Sequence, residues 1–188
     1  TAEANKEETT MNDTTVVESV TGAIESMEES RPGMPQSIRI YGPVTKMEDG
    51  SLSIDNQSGM STSGEIILNV ADDMTYILDA MTGLPVALED VKDGDTIYAY
   101  IGPAMTMSLP PMTNAVMIFT NLPADAKAPD YVEVKSMVTD AATSKSVLTA
   151  ADGTEFTLAE DCNIFPYLTR NIVTLDDLTQ GKKCVVWS

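Results

Sequence analysis

A chain of 188 residues with 43% hydrophobic side chains can bury one core of ordinary size or two small ones. Its 29 acidic against 11 basic residues give a formal net charge of −18, which argues against a nucleic-acid or anionic-lipid surface, since both need clustered Lys and Arg. There is no histidine and there are only two cysteines, so Ser–His–Asp and Cys–His catalysis and a closed zinc site built by this chain alone are excluded.

The first segment, TAEANKEETTMNDTT, is polar and reads as the stalk that follows an export signal or lipid anchor. Residues 14–29 then place Val16, Val17, Val20, Ile24 and Met27 at spacings of three and four, which predicts one short amphipathic helix. Arg31-Pro32-Gly33 and Pro35 end it. Residues 1–35 are therefore expected to precede the folded part. No stretch reaches the roughly 18 apolar residues that a membrane helix needs.

From Ile38 the texture changes to strands. A β-run through Val44 leads into MEDGS at 47–51, a turn signalled by Asp49-Gly50. Leu52 and Ile54 alternate with polar residues, as a half-buried strand should. A loop at 56–64 precedes the apolar strand 65–70, and 74–78 reads extended. Residues 88–95 predict one helical turn and a tight turn, followed by a strand at 96–102. A Pro- and Met-rich loop at 103–112 leads to a strand at 114–122, and PADAKAPD is a linker by composition.

The second half repeats the first. VTKMEDGSLSIDN from Val44 matches VTDAATSKSVLTAADG from Val138. GEIILNVADDMTYILDA from Gly64 matches GTEFTLAEDCNIFPYL from Gly153, and VALEDVKDGDTIYAYI from Val86 matches VTLDDLTQGKKCVVWS from Val173. The expected fold is all-β apart from the N-terminal helix: two tandem small OB-like barrels, at 36–123 and 130–188, joined by a linker at 124–129. A two-sheet sandwich is the alternative. The expected core of the first unit is Ile38, Val44, Leu52, Ile54, Ile66, Leu68, Ile77, Leu88, Ile97 and Ala99. In the second it is Val132, Val138, Leu148, Phe156, Leu158, Ile164, Leu175, Leu178, Cys184 and Val186. The strand at 114–122 has no counterpart in the second unit.

The strings IYAYIGPAMTMSLPP at 97–111, PYLTRNIVTLDDL at 166–178 and the terminal KKCVVWS resemble a group of exported proteins of clostridial gut bacteria. Similar segments there sit beside domains like the N-terminal part of copper amine oxidases. The resemblance spans roughly residues 36–188. It implies an extracytoplasmic, surface-associated protein, and it carries no established activity or catalytic residue.

Cys162 aligns with Met74 and Cys184 with Ile97, so the two cysteines are expected to be core neighbours. In an oxidising compartment they could pair as a disulfide, and otherwise they would be two small buried hydrophobes. Met105, Met107 and Met112 crowd one loop and could offer soft thioethers to Cu(I), or simply fill gaps and line a contact surface. Asp93 and Asp95, with the pairs Asp72-Asp73 and Glu160-Asp161, could hold Ca²⁺ or cap turns, and their recurrence between the repeats favours turns. Neither a catalytic residue nor a cofactor is assigned. The expected function is a non-catalytic binding module at the bacterial cell surface, presenting loops 56–64 and 103–113 to a protein, peptide or glycan, without a membrane span. The alternative is metal handling.

Overall fold

The computed structural model describes residues 37–166 and 173–188. The amphipathic helix expected at 14–29 lies outside them. The described chain is all-β, as expected. It begins with a three-stranded antiparallel meander, β1 (Ile38–Lys46), β2 (Leu52–Asn56) and β3 (Gly64–Asn69). After β4 (Tyr76–Asp79) and one turn of 3-10 helix (Leu88–Asp90), β5 (Thr96–Ile101) returns antiparallel to β1. The long β6 (Met112–Thr120) then pairs antiparallel with β5 and parallel with both β3 and β4. By joining β5 to β3, β6 shuts a five-stranded barrel of OB-like order, with β4 flanking it.

The alternation in the sequence accounts for the barrel interior. Leu52 and Ile54 face inward on β2, opposite Leu68 and Ile66 on β3, and all four are fully buried. Val44, Ile97 and Ala99 join them, while Ile38 and Leu88 pack against this core half-buried. Each such Ile or Leu contributes on the order of 1.5–3 kcal/mol through burial. Gly42 allows the barrel to close. A Cβ there would lie 1.9 Å from the Asp55 carbonyl oxygen, so only glycine lets β1 cross from β5 onto β2 at this distance.

The second unit repeats this plan. β7 (Asp130–Thr139), β8 (Ser146–Ala150) and β9 (Glu155–Leu158) form the meander, a 3-10 turn follows at Leu175–Asp177, and β10 (Lys183–Val186) pairs antiparallel with β7. The order β10-β7-β8-β9 reproduces β5-β1-β2-β3. Backbone hydrogen bonds fix the equivalences. Gly94 N–H donates to Val44 C=O and Val44 N–H to Asp95 C=O, as Gly181 donates to Val134 and Val134 to Lys182. Ile97 opposite Gly42 thus becomes Cys184 opposite Val132. The acidic pairs recur in equal turns, closed by Met74 N–H to Ala71 C=O and by Cys162 N–H to Ala159 C=O.

Two expectations are corrected here. Val44 corresponds to Val134, not Val138, and Val138 is 62% exposed rather than in the core. The cause is an irregularity in β7. Val134 pairs with Ala150 but Ser136 with Thr149, so Lys135 is an extra residue that reverses the facing of everything after it. Met137 turns inward opposite the buried Leu148, and Val138 turns out. The second unit is a curled four-stranded sheet, in keeping with the expected barrel-like domain, and among the described residues no strand there corresponds to β6. That also explains why 162–166 forms no strand: in the first unit the matching β4 is held by β6.

The two units pack on an aromatic seam. Tyr76, Leu78, Tyr100, Met117 and Phe119 of the first unit meet Tyr131 and Val185 of the second. Tyr100 lies edge-on to Phe119 at 6.2 Å and to Tyr131 at 5.5 Å. Its hydroxyl accepts the Tyr131 N–H at 3.1 Å and donates to the Pro129 carbonyl at 3.4 Å. Arg39 reaches Asp130 at 3.3 Å on the rim. The linker contributes too, because Ala128 and Pro129 are buried.

Candidate interaction site

Parallel pairing of β3 with β6 places the loops that precede them, 57–63 and 102–111, at one end of the closed barrel. The two loops singled out in the sequence are therefore brought together by topology. Each is ordered by its own short polar side chains. In the first, the buried Asn56 donates through Nδ2 to the Thr62 carbonyl at 2.9 Å. Its Oδ1 accepts from the Ser58 N–H at 3.0 Å and from the Ser58 hydroxyl at 2.7 Å. Met60 projects from this turn, exposed.

In the longer loop, Thr106 N–H donates to Met112 C=O at 2.9 Å, and Met112 N–H returns to Thr106 Oγ1 at 2.8 Å. Ser108 Oγ donates to the Pro110 carbonyl at 2.9 Å, so the 2.6 Å contact between the two hydroxyls has Thr106 as donor. Thr113 Oγ1 donates to Ala104 C=O at 2.8 Å, and Pro111 C=O accepts from Ile67 N–H on β3 at 2.9 Å. The Leu109–Pro110 peptide is cis. The tip carries Met107, fully exposed, and Leu109, 96% exposed.

The loop divides its methionines. Met105 packs against the barrel core, Met107 stands in solvent, and Met112 begins β6 half-buried. The two side chains of M-x-M thus differ in surroundings, Met105 half-buried against the barrel core and Met107 in solvent. Asp93 Oδ1 accepts the Lys46 N–H at 2.7 Å, tying the turn to the end of β1, and Asp95 Oδ2 accepts the Lys92 N–H at 3.2 Å, capping the turn into β5. Asp177 does the same for the second 3-10 turn, accepting the Thr174 N–H at 2.8 Å. Among the described residues no three His, Cys, Asp or Glu side chains gather in a group fit to hold a metal.

Cys162 and Cys184 are both free thiols. In the first unit the elements that carry their counterparts, expected to be neighbours, are separated by a strand. β4 and β5 lie on opposite sides of β6, and in the second unit Cys162 sits in an exposed turn while Cys184 pairs with Val132. Burial pushes the Cys184 thiol up to about 12, and it also holds the Tyr100 and Tyr131 phenols above the usual range. Sequence reasoning missed Asn56 and Leu109. The Asn-x-Ser spacing at 56–58 signalled the first, and nothing in the local sequence announced that Leu109 faces water.

No known family, no curated protein and no solved structure matches this chain. Among the described residues, no helix is long and apolar enough to cross a membrane.

Proposed function

We propose that this protein is a non-catalytic interaction module that works outside the cytoplasm, at the bacterial cell surface, and that its barrel end at 57–63 and 102–111 docks a protein or peptide partner. One observation carries the reading. Met60, Met107 and Leu109 are large apolar side chains held out in water by loops tied down with side-chain hydrogen bonds. A loop that is ordered while presenting apolar groups loses little conformational entropy on docking, and Met in particular adapts to an irregular partner surface. The acidic balance of the chain suits a solvated surface around that contact.

The experiment is site-specific photocrosslinking on intact source cells. A photoreactive side chain at Met107 should give one or a few discrete crosslinked species, and the same group at the exposed Val138 should not. Equal patterns at the two positions, or none at Met107, would reject the reading. With the photoreactive group moved to Met60, replacing Met107 and Leu109 together with Ser should remove the specific species while leaving the melting temperature within a degree or two, because neither side chain is buried.

A further inference from the structure

The three exposed apolar side chains of the docking end differ in chemistry. Leu109 is inert, whereas Met60 and Met107 carry thioethers. A thioether in water is open to two-electron oxidation, and the sulfoxide that forms is polar and chiral where the methionine was apolar and flexible. Burial sets which methionines react. Met107 is fully exposed and Met60 is 66% exposed, while Met105 packs half-buried against the barrel core and Met117 is 1% exposed. Met105 and Met107, two residues apart in one loop, therefore stand at different levels of access.

The scaffold of both loops is independent of those two sulfurs. The first loop is held by Asn56 Nδ2 to Thr62 C=O at 2.9 Å, the second by Thr106 N–H to Met112 C=O at 2.9 Å and by Thr113 Oγ1 to Ala104 C=O at 2.8 Å. Oxidation at 60 and 107 thus changes what the loops present without changing how they are held. Nor do the loops offer the new oxygen a partner. Residues 57–63 and 102–111 contain no charged side chain. Thr106 is committed to Ser108, and Ser108 to the Pro110 carbonyl. A sulfoxide pressed against an apolar partner surface is a buried acceptor without a donor, which weakens docking by about tenfold or more.

We infer that Met60 and Met107 are an oxidation switch on the docking end: hydrogen peroxide converts them to sulfoxides and releases the partner while the fold stays intact. The inference rests on the docking reading above and names its regulation. In each step the thioether sulfur takes one oxygen atom from the peroxide. The O–O bond breaks, an S–O bond forms, the sulfur loses two electrons and water leaves. A methionine sulfoxide reductase supplied with a dithiol reverses the step, returning the thioether, the disulfide of the dithiol and water.

The test uses the whole chain with a photoreactive group at Leu109 and with Cys162 alkylated, so that its exposed thiol does not react. In a second chain Leu also replaces Met11, Met27, Met34, Met47 and Met81. Each chain is treated with hydrogen peroxide, mapped by peptide mass spectrometry and added to source cells for crosslinking. Met60 and Met107 should be oxidised first, Met105 should lag behind Met107, and Met117 should stay a thioether, with the melting temperature shifted by no more than about a degree or two. Specific crosslinking should fall by about tenfold or more in both chains, and the reductase should restore it. No discrete species before oxidation would reject the docking reading and the switch with it. Discrete species that survive the two sulfoxides would overturn the switch alone. So would Met105 oxidising as fast as Met107, a loss of crosslinking confined to the chain that keeps Met47 and Met81, or a loss that the reductase does not reverse.

Discussion

The indole Nε1–H of Trp187 donates to the Ala80 carbonyl at 2.7 Å, joining residues 107 positions apart. The same ring lies edge-on to Phe119 at 6.5 Å. The residue that follows β10 is thereby fastened to the end of β4, and the two units are coupled through it. Replacing Trp187 with Ala removes a hydrogen bond of about 1 kcal/mol and an aromatic contact of about 0.5–1.5 kcal/mol. The expected outcome is loss of coupling: denaturant unfolding followed by amide exchange should resolve two transitions, the second unit opening first.

Gly83 sits against the same ring. Its φ is +70°, and a Cβ there would come to 3.3 Å from Trp187 Cη2. Gly83→Ala should cost about 1–2 kcal/mol from the backbone alone. In the Trp187→Ala background only that backbone part should remain. Gly42→Ala is a harsher change, since its Cβ would collide with the Asp55 backbone. It should prevent barrel closure, seen as loss of exchange protection at Ile54 and Gln57.

Two phenols on the seam should respond in opposite ways. The Tyr100 hydroxyl bridges to the backbone of Pro129 and Tyr131, so Tyr100→Phe should lower stability by about 1–3 kcal/mol. The Tyr131 hydroxyl is buried and has no hydrogen-bond partner among the described residues. Tyr131→Phe should leave the melting temperature unchanged or raise it, because it removes a polar group that gains nothing in the fold. A loss of more than about 1 kcal/mol on Tyr131→Phe would contradict this.

Alkaline pH should loosen the second unit. Burial raises the folded Cys184 thiol from 9.0 to about 12, and it raises Tyr131 and Tyr100 as well. A group whose folded pKa lies above its unfolded value contributes stability that is whole below the unfolded pKa and is lost as pH rises toward the folded one. Melting temperature should therefore fall between pH 9 and about 12. Burial lowers Lys183, which works in the opposite sense and offsets part of the fall. Cys184→Val should flatten the lower part of that profile. A thiol reagent at neutral pH should modify the exposed Cys162 promptly and Cys184 only on unfolding.

Core and surface should separate cleanly by truncation. Ile97 is 0% exposed, and Ile97→Ala should cost about 2–5 kcal/mol, read by denaturant midpoint. Val138→Ala, on the outer face of β7, should stay within about 0.5 kcal/mol.

The sequence by itself determined the strands of the first unit, their alternation and the repeat, because period-two hydrophobicity and Asp-Gly turns are local signals. Of the ten residues expected in the first core, eight are buried and Ile38 and Leu88 pack against it. It also pointed to the two loops. What it could not determine was anything set by one residue's effect on a distant strand. The extra residue Lys135 reverses the facing of Val138, yet nothing around it departs from an ordinary strand. Cys162 and Cys184 align correctly with Met74 and Ile97, yet alignment says nothing of β6, which stands between β4 and β5. That strand also decided which unit closes. A barrel needs a partner for both of its edges, and only the tertiary structure shows that β6 serves β5 and β3 together, while among the described residues no such strand joins β10 to β9.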